Sequence, residues 1–446
     1  MIRHKLSKSY VPALSVLSVA LASAIFSSTA FGSAFQLAEN SATGRGRADA
    51  GGPAAPGDCA LVVNNPAAMS DFKNDCVQAT LSMINFSAKF HGTGSDFLGQ
   101  PATGSNGGDG GDTLPVPAAF YIHPVNEQLA LGLGLSVPFG FKTSYDDRWV
   151  GRYQSVETIL QAPALTFAAS WKASDELSFG ASFVAQRLHA DLKTDIDLGA
   201  ILAAPTNGAL LPQEADGQGR LTGSDWGYGF GLGALWKATP NDRIGVNFRS
   251  QIDHTISKGN ATFLIPSNLR PLLGNAFTNT TGSADTNTPW YMSLGWWHTV
   301  DERLSFGVTA EYTHWSSFDK LVVNYANPAQ AAFNAPTYFN YKNSWFTSFG
   351  GDYKLDNQWT LRAGVAYDQT PTQDATRDPK VPDNSRKWLT VGVGYQMNEQ
   401  LRFDAGFLHL FVDDAKVNNV APTFNTLNGS FKVTGNVLAV SGQYMF

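Results

Sequence analysis

Eight histidines, two cysteines and one run of alternating glycines are the residues whose types could support chemistry here. The histidines are scattered, and neither a His-Glu-x-x-His nor a Cys-x-x-Cys metal pattern occurs. No Gly-x-Ser-x-Gly marks a hydrolase nucleophile. The run Gly227-Tyr228-Gly229-Phe230-Gly231-Leu232-Gly233 imitates a phosphate-cradling loop in composition only. Its spacing of two puts all four glycines on one face of a strand, where they make room. Catalysis is disfavoured, with an outer-membrane hydrolase as the enzymatic alternative, and no cofactor or metal is expected.

Other residues interrupt or tie the chain rather than react. Pro138 and Gly140 flank Phe139 in an otherwise unbroken alternating strand. Proline gives no donor to a ladder and glycine tolerates a bulge, so an irregularity belongs there. Cys59 and Cys76 bracket Asn65-Pro66-Ala67. In an exported chain an oxidising compartment favours a disulfide between them, two free thiols being the alternative. Two loops carry apolar patches, Ile201-Leu202 with Leu210-Leu211, and Phe263-Leu264-Ile265 with Leu269, Leu272 and Leu273. Such patches either bind something or pack on each other.

The elements that must position these residues follow from hydropathy. Among 446 residues 43% are hydrophobic, 12% aromatic and only 15% charged, with 43 glycines. A soluble domain carries about 25% charged residues. Mean hydropathy is nevertheless −0.15, and only one stretch, near the start, is apolar for long enough to suggest a helical span. A polytopic helical membrane protein is excluded. Low charge, abundant glycine and aromatics, and neutral mean hydropathy describe a transmembrane β-barrel. The 37 acidic against 31 basic residues argue against nucleic acid as a partner.

Six short polar turns, near 126–128, 174–176, 241–243, 301–303, 356–358 and 398–400, each open a strand of alternating apolar residues. Leu177, Phe179, Ala181 and Phe183 follow the second turn; Leu304, Phe306, Val308, Ala310 and Tyr312 follow the fourth. Longer Gly/Asn/Ser/Pro-rich segments at about 92–112, 143–154, 194–220, 259–288, 317–340, 370–385 and 413–427 separate the pairs. Six periplasmic turns joining strand pairs, with one strand added at each end, predict a closed all-β, 14-stranded antiparallel barrel. Its first strand is placed at about 77–91 and its last at about 430–446, ending on Phe446.

Residues 1–32 read as an export signal: Arg3, Lys5 and Lys8, an apolar run from Val11 to Phe26, then small residues before a cut. Cleavage after Gly32 or after Ala30 satisfies the small-residue rule; an uncleaved anchor is the alternative. The following segment, 33–76, is Gly/Ala-rich, not strand-like, and the right length for a compact hatch in the lumen of a barrel spanning 77–446. Arg249, Asp253, Arg362, Arg402 and Asp404 on lumen-facing positions agree with a filled lumen, although a water-filled one would look similar.

Ser33-Ala34-Phe35-Gln36-Leu37-Ala38-Glu39-Asn40-Ser41, with Gly44-Arg45-Gly46-Arg47-Ala48, resembles the mature N-terminus of the FadL and toluene-transport family of outer-membrane proteins. Asn65-Pro66-Ala67 is similar to that family's hatch motif. Val137-Pro138-Phe139-Gly140-Phe141 with Trp149-Val150-Gly151-Arg152-Tyr153 is similar to its third strand and following loop. The resemblance covers the whole mature chain and favours cleavage after Gly32. It implies passive uptake of long-chain fatty acids or related hydrophobic compounds. It implies a hatch carrying Phe35, Asn65, Pro66 and Ala67, and lateral release at a kink formed by Pro138, Phe139 and Gly140. It also implies a docking groove on the loop bearing Phe263, Leu264, Ile265, Leu269, Leu272 and Leu273. The expected partners are a hydrophobic small molecule and the lipid and lipopolysaccharide of the outer membrane, the chain acting as a monomer. A diffusion porin for hydrophilic solutes is the transport alternative.

Overall fold

A computed structural model describes residues 33–334, 336–421 and 424–446. The export signal at 1–32 lies outside the described residues. The alternating segments form β1 (Cys76–Ser95), β2 (Thr113–Pro124), β3 (Leu129–Ser144), β4 (Glu157–Lys172), β5 (Leu177–Asp197) and β6 (Asp216–Lys237). Then come β7 (Asp242–Arg249 continuing as Ile252–Leu264), β8 (Thr280–Thr288 continuing as Tyr291–Thr299) and β9 (Leu304–Thr313). The set ends with β10 (Ser344–Lys354), β11 (Trp359–Asp368), β12 (Arg386–Gln396), β13 (Leu401–Val412 continuing as Ala415–Val420) and β14 (Thr426–Met445). Each pairs antiparallel with its neighbours, and β1 pairs with β14 along its whole length from Cys76↔Met445 to Ser95↔Thr426. The sheet therefore closes as a barrel of fourteen strands, which leaves no unpaired sheet edge for the bilayer to solvate.

Alternation sets which side each residue faces. On β5, Phe179 and Phe183 are exposed on the outer wall, whereas Ser178, one position before Phe179, is buried within. The six polar turns all join strands as the spacing predicts. Strand ends differ from expectation on the opposite side of the barrel. The segments 194–220, 259–288 and 413–427 were expected to be loops, yet β5 runs to Asp197, β7 to Leu264 and β13 to Val420. There both faces meet water or protein, so the ladder continues on Thr, Asn and Gly with no apolar alternation to announce it.

Residues 33–75 are held from many sides. Ala42 N–H donates to Ser441 Oγ of β14 (2.9 Å), Gly52 N–H to Thr309 Oγ1 of β9 (3.1 Å) and Asn65 Nδ2 to Ala234 O of β6 (2.9 Å). Thr390 Oγ1 of β12 donates to Gly46 O (3.2 Å), and Ser70 Oγ donates to Ser178 Oγ of β5 (2.8 Å). A segment bonded to β5, β6, β9, β12 and β14 lies inside the ring. It contains two short helices, α1 (Ala42–Gly46) and α2 (Leu61–Asn64), and a 3₁₀ helix over Pro66–Asp71.

Candidate functional site

Strand β3 departs from its neighbours where the sequence places Pro138. Its register with β4 is regular from Leu129↔Trp171 to Ser136↔Ala164, then shifts and resumes at Phe139↔Ala162. Val137 and Pro138 thus face the single residue Pro163, which is a bulge. On its other side β3 pairs with β2 only from Pro124↔Ala130 to Ala119↔Leu135. The outer half of β2, Thr113 to Ala118, stays in register with β1 and has no partner on β3. The barrel wall is therefore unzipped between β2 and β3 from Ser136 outward.

Residues that were not foreseen as functional line this seam. Pro115 and Pro117 lie two apart in β2, so they remove donors from one edge of that stretch. Pro163 sits opposite the bulge. A sequence signal existed: proline inside a strand pattern marks an edge, and four of them fall in β2, β3 and β4 around the gap.

The N-terminal segment supplies what β2 withholds. Leu37 N–H donates to Pro138 O (2.8 Å) and Gly140 N–H donates to Phe35 O (2.9 Å), with Gln36 and Phe139 forming an isolated antiparallel bridge. Phe35, 1% exposed, meets Phe139, Trp315 and Phe318 edge-on, with ring centroids 6.0, 4.7 and 5.1 Å away.

Above Phe35 lies an apolar chamber of about 840 Å³, walled by Phe141, Leu160, Leu188 and Ile256 and roofed by Phe339 and Val381. Lys380 is the cation on its rim; its Nζ donates to Gln154 O (2.6 Å) and faces Asp378 at 3.3 Å. A second cavity of about 1100 Å³ further out shares Leu192, Leu221, Leu321, Phe339 and Lys380 with the first and adds Arg220 and Phe263.

The loop residues separate into two groups. Leu269 and Leu273 are buried with Leu198, Leu202 and Phe277 in a small core joining two loops. Leu264 and Leu272 are 71% and 53% exposed. Phe263 faces the outer cavity, and Leu264 and Ile265 line an open cleft beside it.

Asn65, Pro66 and Ala67 sit at the other end of the N-terminal segment. Asn65 caps the 3₁₀ helix, its Oδ1 accepting from Ala67 N–H (3.1 Å), while Nδ2 reaches Pro53 O (2.7 Å) and Ala234 O. The turn presses on Gly180 and Gly233, partners across β5 and β6. A Cβ on Gly180 would stand 2.3 Å from Ala67 N. Cys59 and Cys76 are joined, their Cα atoms 6.3 Å apart, at the root of β1. Of the charges expected in the lumen, Arg362 bonds Asp404 (2.8 Å) and Arg402 bonds the other oxygen of Asp404 (2.8 Å), whereas Asp253 is exposed.

The fold recurs in known proteins. The family described as outer membrane protein transport protein (OMPP1/FadL/TodX) matches residues 23–446. The chain belongs to this family. A long-chain fatty acid transport protein of Escherichia coli is 28% identical over 407 residues, covering 87% of this chain and 89% of that protein. Outer membrane protein P1 of Haemophilus influenzae is 28% identical over 403 residues, covering 84% and 85%. The crystal structure of a Pseudomonas aeruginosa FadL homologue superposes with a TM-score of 0.86 at 31% identity, over 92% of this chain and 99% of that one. The toluene transporter TbuX of Ralstonia pickettii shares the fold, with a TM-score of 0.64 at 19% identity over 92% of this chain and 99% of that chain. This FadL-family chain is an outer-membrane transport protein, not an enzyme.

Proposed function

We propose that the protein takes up long-chain fatty acids or related hydrophobic compounds passively and releases them sideways into the membrane between β2 and β3. The observation that carries this reading is the apolar chamber sharing Phe141 of β3 and Phe35 with the unzipped seam. An apolar solute gains about 25 cal/mol per Å² of surface removed from water. Leaving through a wall gap into lipid preserves that gain, whereas an aqueous exit forfeits it. Residues 33–76 act as the hatch that denies the axial route.

A single-chain acid fits better than a bare hydrocarbon. Lys380 stands where the apolar chamber meets the more polar outer cavity holding Arg220 and Gln154, a place for a carboxylate head over a buried tail. Leu264 and Leu272 on the outer loop offer a first contact for cargo arriving from outside.

The test is Pro138→Thr with Gly140→Val, which regularises β3 and fills the seam. Uptake of a labelled long-chain fatty acid into cells should fall at least about tenfold, the equivalent of 1.4 kcal/mol on the transport barrier. Surface binding and heat-modifiable migration should persist. Unchanged uptake by the folded double variant overturns lateral release.

A further inference from the structure

On the side of the N-terminal segment away from the apolar chamber, a second kind of space opens. About 810 Å³ lies between that segment and β8 to β12, lined by Ser33, Gln36, Glu311, Asp368 and Tyr291 among others. Its charges are unbalanced. Glu39 and Asp49 pair with Arg45, and Asp368 and Asp383 pair with Arg386 (3.3 and 2.7 Å). Glu311 has an amide partner, Gln36 Nε2 at 2.8 Å, and among the described residues no lysine or arginine forms an ion pair with it. A carboxylate inside a protein that lacks a cation is costly.

The start of the described chain sits beside these acids. Ser33 and Ala34 are 6% and 3% exposed, inside a closed barrel. Ser33 Oγ contacts Ser344 Oγ (3.0 Å) and donates to Gln369 O (3.0 Å), while Ala34 N–H donates to Asp383 Oδ2 (3.0 Å). A long leader attached to Ser33 would begin within the packed lumen. The cut after Gly32 removes that obstacle and creates a positive charge at Ser33.

We propose that the polar cavity is the receptor for the α-ammonium group released at Ser33 by signal-peptide cleavage, with Glu311 and Asp368 as its counter-ions. Processing then completes the site: the precursor has a neutral amide at Ser33, and the mature chain has the missing cation. The charged and titratable groups facing it are Glu311 from β9, Asp368 from β11, Asp383 and Arg386 from the last long loop and β12, Tyr291 from β8 with Arg249 of β7 bonded beside it, and Asp49 and Arg45 from the N-terminal segment. The ammonium fixes residues 33–37, and these are the residues that hold Pro138 and Gly140 of β3. Because the pair forms only in the folded chain, it raises the α-amine's pKa. Its stabilisation is full below the ordinary α-amine value and disappears as the pH rises through the raised one.

The experiment uses mature protein purified from outer membranes. Intact-mass analysis should place its first residue at Ser33. Trace acetic anhydride labelling across pH 6–10, read by mass spectrometry, gives the α-amine's apparent pKa in the folded and unfolded protein. The folded value should exceed the ordinary 7.7–8.0 by about one unit, making acylation about tenfold slower at pH 7. Burial without a counter-ion would shift the value downward instead. Glu311→Gln should return the value toward the ordinary one. An ordinary or lowered pKa in the folded wild-type protein overturns the proposal, as does a mature chain that starts anywhere but Ser33. Fatty-acid uptake is not part of this readout, so failure here leaves the transport reading untouched.

Discussion

Replacing Gly180 by Ala adds one methyl group at the point where the barrel wall supports the Asn65-Pro66-Ala67 turn. The new Cβ would lie 2.3 Å from Ala67 N and 2.5 Å from Pro66 C, where carbon contacts normally lie at about 3.5–4.0 Å. Both obstructing atoms are backbone, so no side-chain rotation relieves the overlap. The turn must recede by about 1 Å, and overpacking of this kind costs about 1–3 kcal/mol. Recession also stretches the Asn65–Ala234 and Ser70–Ser178 hydrogen bonds, each worth about 1 kcal/mol. Alanine is otherwise preferred to glycine in a strand by roughly 0.5–1 kcal/mol. The net loss of seating energy is about 2–4 kcal/mol, which shifts the balance between seated and displaced turn by about 30- to 1000-fold. Fourteen paired strands hold the wall, so heat-modifiable migration should stay at the wild-type temperature. In planar bilayers the wild type should conduct little, and Gly180→Ala should show frequent openings. Gly442→Ala is the control, since its Cβ meets only Phe403 at an ordinary 3.6 Å. A folded Gly180→Ala protein as silent as the wild type would show that this turn is not what closes the lumen.

Three further outcomes can be checked. Cys59→Ser with Cys76→Ser should leave the barrel assembled but loosen the N-terminal segment, since closing a loop with sequence separation 17 stabilises by roughly 3 kcal/mol; proteolysis within 33–75 should become detectable. Leu264→Ser with Leu272→Ser should reduce fatty-acid capture with no change in folding, whereas Leu273→Ala should cost about 2–3 kcal/mol in loop stability and shorten the loops' protease lifetime. The Lys142 ammonium donates to Asp112 at 2.6 Å and holds that carboxyl below its ordinary value of 3.8. The pair's stabilisation is present above pH 3.8 and is lost as the pH falls through the lowered value, so acid should loosen the 96–112 loop from β3 and Asp112→Asn should abolish that dependence.

The strand count was readable because the bilayer imposes it. Phe179 and Phe183, or Phe306 and Val308, alternate with small and polar residues since one side of each strand faces lipid. Where the barrel rises out of the membrane this constraint ends, and β7 from Gly259 to Leu264 or β13 from Ala415 to Val420 looked like loop. Pro138 and Gly140 marked β3 as irregular, but not which neighbour it leaves. That information was spread over Pro115, Pro117 and Pro163, each unremarkable alone. Lys380 was invisible for another reason. It sits in a long loop, and only the folded loop shows it at the rim of the chamber. There Tyr145 donates to Pro379 O (2.7 Å) and Thr143 Oγ1 donates to Lys380 O (3.2 Å).

A gap in a membrane wall is possible only if the backbone groups it exposes find partners elsewhere. On the β2 side prolines lower the number of donors needing one. On the β3 side the backbone partners come from residues 35–37 and, at Ser144, from Gly110 O of the 96–112 loop, not from another wall strand. The seam is therefore held by segments that can move without unravelling the barrel. Phe35 belongs to both structures: its carbonyl accepts from Gly140 N–H, and its ring is the floor of the chamber. Cargo that displaces the ring strains the bond its own backbone makes to β3. A net hydrogen bond is worth about 1 kcal/mol, whereas burying one large apolar side chain's worth of surface gives about 1.5–3 kcal/mol. On the proposed lateral route, an apolar chain in the chamber would replace the buried surface that Phe35 gives up and offset the two hydrogen bonds that tie residues 35–37 to β3, so the coupling would need no external energy source.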